Sequence, residues 1–193
     1  ANVTTLAATF RKAYQFNRPL DHWQTNKVTS LAALFESAES FNQNIENWNT
    51  KNVSNMGSTF KQAVSFNQPL NDWITSSVTD MQYMFNGASN FDQELSRWNT
   101  VNVQNMTHMF DEATAFNQSL NNWNVVNVTN MSYMFKNATV YNQPMNNWNT
   151  ANLINLGYTF YGASAFNHPL NTWNTSKVTT LRATFYQATS FNQ

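Results

Sequence analysis

Few side chains in this sequence could do chemistry, and their spacing works against it. The three histidines, His22, His108 and His168, stand at places 7, 18 and 3 of a phrase that recurs every 25 residues. Stacking copies of that phrase therefore does not bring them into line. A metal ion needs three or four converging ligands, and no such set is legible, so no metal and no cofactor is expected. Cysteine is absent, which excludes disulfides and thiolate chemistry within the chain. Glu36 lies near Glu39, and Asp111 beside Glu112, but neither pair has an evident partner. No Ser-His-Asp or paired-carboxylate constellation recurs. Gly57, Gly87, Gly157 and Gly162 are scattered, so no glycine-rich phosphate loop exists. The chain is not expected to be an enzyme.

Amides and hydroxyls are the more regular polar groups. Asn-Gln pairs open most copies of the phrase, and Asn42, Asn67, Asn117, Asn142 and Asn167 form a candidate polar ladder. Two readings stand. In the first, these residues cap turns and satisfy buried backbone groups between units. In the second, they form a stripe that binds sugars or other amide-rich chains. The first takes precedence. Thr25, Thr50, Thr75, Thr100, Thr150 and Thr175 make a second row, interrupted by Val125, that fits cross-strand pairing better than an ordered ice-binding array. Eight Asn-X-Ser/Thr triplets are present, about what chance supplies in so Asn-rich a chain. Asn52 and Asn127, at equivalent places, are the leading glycosylation candidates, with Asn2 and Asn130 behind them.

The elements that must position these groups come from the repeat itself. Trp23, Trp48, Trp73, Trp98, Trp123, Trp148 and Trp173 are each 25 residues after the last. Taking Phe116 as position 1, Phe recurs at position 1 (Tyr141 substituting once) and at position 20, Pro occurs only at position 4, and Ala fills position 23 in every copy. Residues 1–15 are a partial copy, seven full copies start at 16, 41, 66, 91, 116, 141 and 166, and residues 191–193 open another. No linker or composition break divides them, so 1–193 is a single array. Because both ends fall in mid-phrase, the expectation is an excerpt of a longer array or a processed product.

Positions 16, 19, 20 and 23 have the i, i+3, i+4, i+7 spacing of one helix face, as in Met131, Met134, Phe135 and Ala138. Thr or Ser at position 14 (Thr4, Thr29, Ser54, Thr79, Thr129, Thr179) is placed to cap that helix; Gln104 and Ile154 are not. Positions 1–8 read as a tight turn and one helical turn, with Asn at position 2 as cap and Pro at its start. Positions 9–13 carry β-branched residues for a short or bent strand. The expected fold is an α/β solenoid with one short strand and one helix per 25-residue repeat; an all-α helical solenoid is the alternative. Strands pack about 4.8 Å apart and helices about 8–10 Å, so the first arrangement curves with its strands inside. A single copy would be unfolded, since half its apolar anchors would face water.

Composition narrows the partners. Net charge is zero and 10% of residues are charged, so there is no basic field for nucleic acid or an anionic membrane. No apolar run approaches the roughly 20 residues that span a bilayer.

The phrase W-N-T-x-N-V-T-N-M-x-x-M-F-x-x-A-x-x-F-N-Q, seen best at Trp123–Gln143, resembles the short repeat of BspA-like leucine-rich-repeat surface proteins, with related repeats in mycoplasma lipoproteins. The resemblance covers essentially the whole chain. It implies a leucine-rich-repeat-like, non-enzymatic scaffold, extracellular or on a cell surface, linked with adhesion. The expected partner is a protein or glycan surface ligand, or copies of the chain itself end to end in a filament.

Overall fold

The computed structural model describes residues 2–193. It is a stack of 25-residue coils with no helix among the described residues. Among the described residues the only extended pairing is a row of single parallel bridges at position 15, Thr5 to Ser30, then Asn55, Asp80, Asn105, Asn130, Asn155 and Thr180 in succession. The α/β solenoid with a helix in each repeat is overturned, and so is the all-α alternative.

The backbone hydrogen bonds show why. In the coil carrying Met81–Ala88, alternate amides leave the coil: Met81 N donates to Asn105 O (3.1 Å), Tyr83 N to Thr107 O (2.9 Å), Phe85 N to Met109 O (2.9 Å) and Gly87 N to Asp111 O (2.7 Å). The intervening amides bond three residues back, Met84 N to Met81 O, Asn86 N to Tyr83 O and Ala88 N to Phe85 O. An α-helix would send every one of them four residues back. Here three linked turns advance the chain, and half the amides tie it to the next coil. The third residue of the first and last turns is left-handed, as type II turns require: φ is 56° at Tyr83 and 68° at Gly87. Each coil repeats this at positions 18 and 22, sixteen left-handed residues of which two are glycine. Linked three-residue turns satisfy the i, i+3, i+4, i+7 pattern as well as a helix does. They differ in needing left-handed corners.

The capping roles assigned to this helix disappear with it. Thr29 Oγ1 donates to Thr4 O in the preceding coil (3.1 Å), and Ser54 and Thr79 do the same one coil further each time. The helical turn expected over positions 1–8, with its Asn cap and proline start, is likewise absent; a turn at positions 6–7 takes its place. A second turn, closed by Val28 N donating to Thr25 O (2.9 Å), separates the Trp and Val that could not share one strand face.

The interior is filled by aromatic columns. Position 20 forms one line of eight rings from Phe10 to Phe185, with successive centroids 5.5–5.7 Å apart. Position 1 forms another from Phe16 to Phe191, at 5.8–6.3 Å. The two lines stack on each other within every coil, as Phe35 does on Phe41 at 3.8 Å. Met, Leu, Ile and Val at positions 5, 13 and 16, Met, Leu or Thr at position 19 and the invariant Ala at position 23 complete the interior. Burial of such rings is the main stabilising term.

Ring spacing also reports the shape of the stack. A rigid step from one coil to the next displaces a side chain least where it lies nearest the axis of rotation. The rings at position 18 are displaced 4.3–4.6 Å, whereas stacked indoles at position 8 are displaced 5.8–6.5 Å. The array therefore coils about the side carrying position 18, its inner face. Curvature was expected from strands facing helices; it comes instead from a hydrogen-bonded ladder facing wide indoles.

Candidate functional site

Two polar systems organise the surface. The first runs along positions 2 to 12, where the coils stand farther apart than the spacing of about 4.8 Å that a backbone ladder tolerates. Among the described residues no backbone-to-backbone bond joins neighbouring coils there; side chains make the links. Asn42 Oδ1 accepts from Asn67 N (3.0 Å) and from Gln68 Nε2 (3.0 Å), both in the next coil. Asn67, Asn117 and Asn142 hold the same place, and Asn167 receives Asn192 N and Gln193 Nε2. Asp92 fills one rung, accepting from Asn117 N and Gln118 Nε2 at 2.9 Å each. These Asn rungs are thus hydrogen-bonded between units through Oδ1.

Farther round, each indole from Trp48 to Trp173 donates Nε1–H to a position-5 carbonyl in the preceding coil, for example Trp123 to Leu95 O at 3.1 Å. Thr50, Thr75, Thr100 and Thr150 donate to the carbonyl of position 9 in the next coil at 2.9–3.1 Å. Asn52 Nδ2 donates to Asn26 O (2.8 Å) and Asn127 Nδ2 to Val101 O (2.7 Å). The nitrogen that a glycan would modify is therefore already engaged at both leading candidates. Asn130 Oδ1 accepts from Ser132 N, and Asn2 Oδ1 from Lys27 Nζ (3.2 Å).

The second system is on the inner face. Tyr83, His108, Tyr133 and Tyr158, all at position 18, form a four-ring parallel stack with interplanar angles of 5–10°. Lys61 Nζ lies 4.9 Å from the Tyr83 ring centre and the Arg182 guanidinium 5.6 Å from that of Tyr158, so cations close both ends. His108 Nδ1 is 2.7 Å from Asp111 Oδ2, and Lys136 Nζ is 3.5 Å from Asp111 Oδ1. Glu36 lies between Arg11 (2.7 Å) and Lys61 (3.9 Å). The sequence left these acids without partners, because the turn that sets positions 18 and 21 side by side was hidden behind the helix reading of the same residues.

His108 and Asp111 make a pair and not a triad, since no side-chain hydroxyl is hydrogen-bonded to His108 Nε2. His22 and His168 lie elsewhere, His22 beside Asp21 at 3.6 Å and His168 against Asn142 O. Among the described residues no three His, Cys, Asp or Glu side chains converge as metal ligands, and no helix is long and apolar enough to cross a membrane.

No curated protein and no solved structure matches the chain. One family model matches it three times, at residues 1–98, 66–168 and 117–193, which together span the whole sequence. The chain belongs to that family, described as Mycoplasma protein of unknown function, DUF285.

Proposed function

We propose that this chain is the non-enzymatic repeat scaffold of an extracellular or cell-surface protein, serving adhesion through a protein or glycan ligand, as its resemblance to BspA-like surface repeats implies. The observation that carries this reading is how the side chains are distributed. Interior positions are taken by ring and methionine columns, and most inward polar groups are spent on bonds between coils. Chemical variety from coil to coil is left to solvent-facing positions such as 18. Recognition by a long, rigid, neutral surface fits that distribution better than catalysis in a cleft. Binding of the purified chain to immobilised host-matrix proteins and to a glycan array tests it. Saturable binding to either supports the reading; none to both overturns it.

Head-to-tail self-association is a second reading, favoured by the fit of one coil on the next along the stack. Each coil's upper face is built to fit the lower face of the next, so non-closing contacts would give filaments. Sedimentation velocity across a hundredfold concentration range tests this: a monomer throughout removes it.

A further inference from the structure

The repeats act as their own control at position 18. Ala8, Ala33 and Ala183 fill it with a methyl group and Ser58 with a hydroxymethyl, so the backbone does not require a ring there. Rings nonetheless occupy four consecutive coils, at φ of 56–61° where bulky side chains are disfavoured. They are half-buried, and they lie on the inner face of the array.

What they present is restricted. The inner ring faces cover one another, and Lys61 and Arg182 cover the outermost two. No face is open for stacking on a base or a sugar plane. The exposed part is a ridge of ring edges with three phenol hydroxyls, none of which has a protein hydrogen-bond partner. The position-15 row of the same four coils is Asp80, Asn105, Asn130 and Asn155, with the Asp80 carboxylate accepting from Gln82 N and Nε2. Asn105, Asn130 and Asn155 each accept the amide N–H two residues on through Oδ1. The Nδ2 groups of Asn130 and Asn155 are left without a protein partner.

Charge and backbone narrow the occupant. Asp111 is matched by His108 and Lys136, and Glu36 by Arg11 and Lys61. The band offers no single-sign field for a polyanion or polycation. Strand addition by a peptide needs a free sheet edge, yet the amides of positions 16, 18, 20 and 22 are already donated to the next coil. A neutral linear polymer bearing hydroxyls at intervals meets the remaining conditions: ring edges in four successive coils, free phenols in three of them and free amide donors in two.

We propose that the inner-face ridge of Tyr83, His108, Tyr133 and Tyr158, with the Asn130 and Asn155 amides, binds a neutral linear polysaccharide laid along the stack. This rests on the scaffold reading above and names its ligand class and site.

The test is titration calorimetry of the whole chain with cellohexaose, chitohexaose, mannohexaose and maltohexaose, alongside dextran sulfate and a fibronectin-type matrix protein. Tyr133→Ala installs the residue that three other coils carry, and Tyr133→Phe keeps the ring stack while removing one hydroxyl. At least one neutral oligosaccharide is expected to bind, about tenfold more weakly to Tyr133→Ala and measurably more weakly to Tyr133→Phe, whose melting temperature stays at the parent value. Binding confined to dextran sulfate, or neutral-sugar binding that neither variant weakens, overturns the proposal. Binding to the matrix protein without any oligosaccharide also overturns it but leaves the scaffold reading standing; binding to nothing removes both.

Discussion

Tyr141 is the residue at which the core departs from its own rule. It replaces Phe in the position-1 column, fully buried, and its hydroxyl has no hydrogen-bond partner. A buried, unpaired hydroxyl costs about 1–3 kcal/mol. Tyr141→Phe is therefore expected to stabilise the chain by about 1 kcal/mol in chemical denaturation, with the fold unchanged. Burial also raises the phenol's pKa well above its ordinary 10.0. The folded chain keeps that proton where the unfolded chain begins to release it, so this contribution is intact below about pH 10 and is lost as pH rises further. Wild type should lose stability above pH 10 more steeply than Tyr141→Phe, and equal slopes would contradict the burial. The rungs give a second prediction at this scale. Asn117 Oδ1 accepts from Asn142 N (2.9 Å) and Gln143 Nε2 (3.2 Å), while its Nδ2 bonds to nothing. Only the acceptor matters, as Asp92 demonstrates one coil earlier. Asn117→Ala should cost about 1 kcal/mol of unfolding free energy, whereas Asn117→Asp should cost less, the retained acceptor being offset in part by repulsion from the Asp92 carboxylate one coil away.

At the scale of the element, the linked turns carry a test that a helix would answer with the opposite sign. Glu112 is exposed, at φ 62°. A left-handed residue bearing a Cβ is disfavoured by roughly 1–2 kcal/mol, and glycine removes that cost. Glu112→Gly should raise the unfolding free energy by about 1 kcal/mol. In a helix interior the same change would lower it by about that much. The left-handed corners left a trace in the sequence: across eight copies, positions 18 and 22 hold Ala, Ser, Tyr, His, Lys, Gln, Glu, Asn or Gly, never Val, Ile or Thr. Apolar periodicity drew attention to positions 16, 19, 20 and 23 and away from that exclusion. A three-residue turn and a helical turn place apolar residues at nearly the same intervals, so the pattern alone could not separate them. The inner-face ridge was invisible for a related reason: Tyr83, His108, Tyr133 and Tyr158 align only once position 18 is known to turn outward.

For the whole molecule, stability is a property of the stack. Every coil but the last sends alternate amides to the next, and the left-handed corners of those coils are offset by bonds that exist only when that neighbour is present. A peptide of residues 116–140, one complete unit, should show a disordered circular-dichroism spectrum, while the full chain should lack helical minima near 222 nm and unfold cooperatively. A helical spectrum from either would contradict the fold. Because the coils couple chiefly to nearest neighbours, destabilising changes near Phe116 should uncouple the two halves more than the same changes near Phe16. Hydrogen exchange resolved by coil would read this out.

The sequence by itself determined the 25-residue step, the single uninterrupted array, the residues that line its interior and the lack of a charge field. Each follows from composition and recurrence, which survive any choice of backbone path. Only the tertiary structure decided that path. The choice between a helix and linked turns depends on where each amide finds its acceptor, and for half of them the acceptor is a carbonyl 24 residues ahead in the neighbouring coil. The same long step explains the asparagines, which bridge the coils on the side where they stand too far apart for backbone to reach backbone.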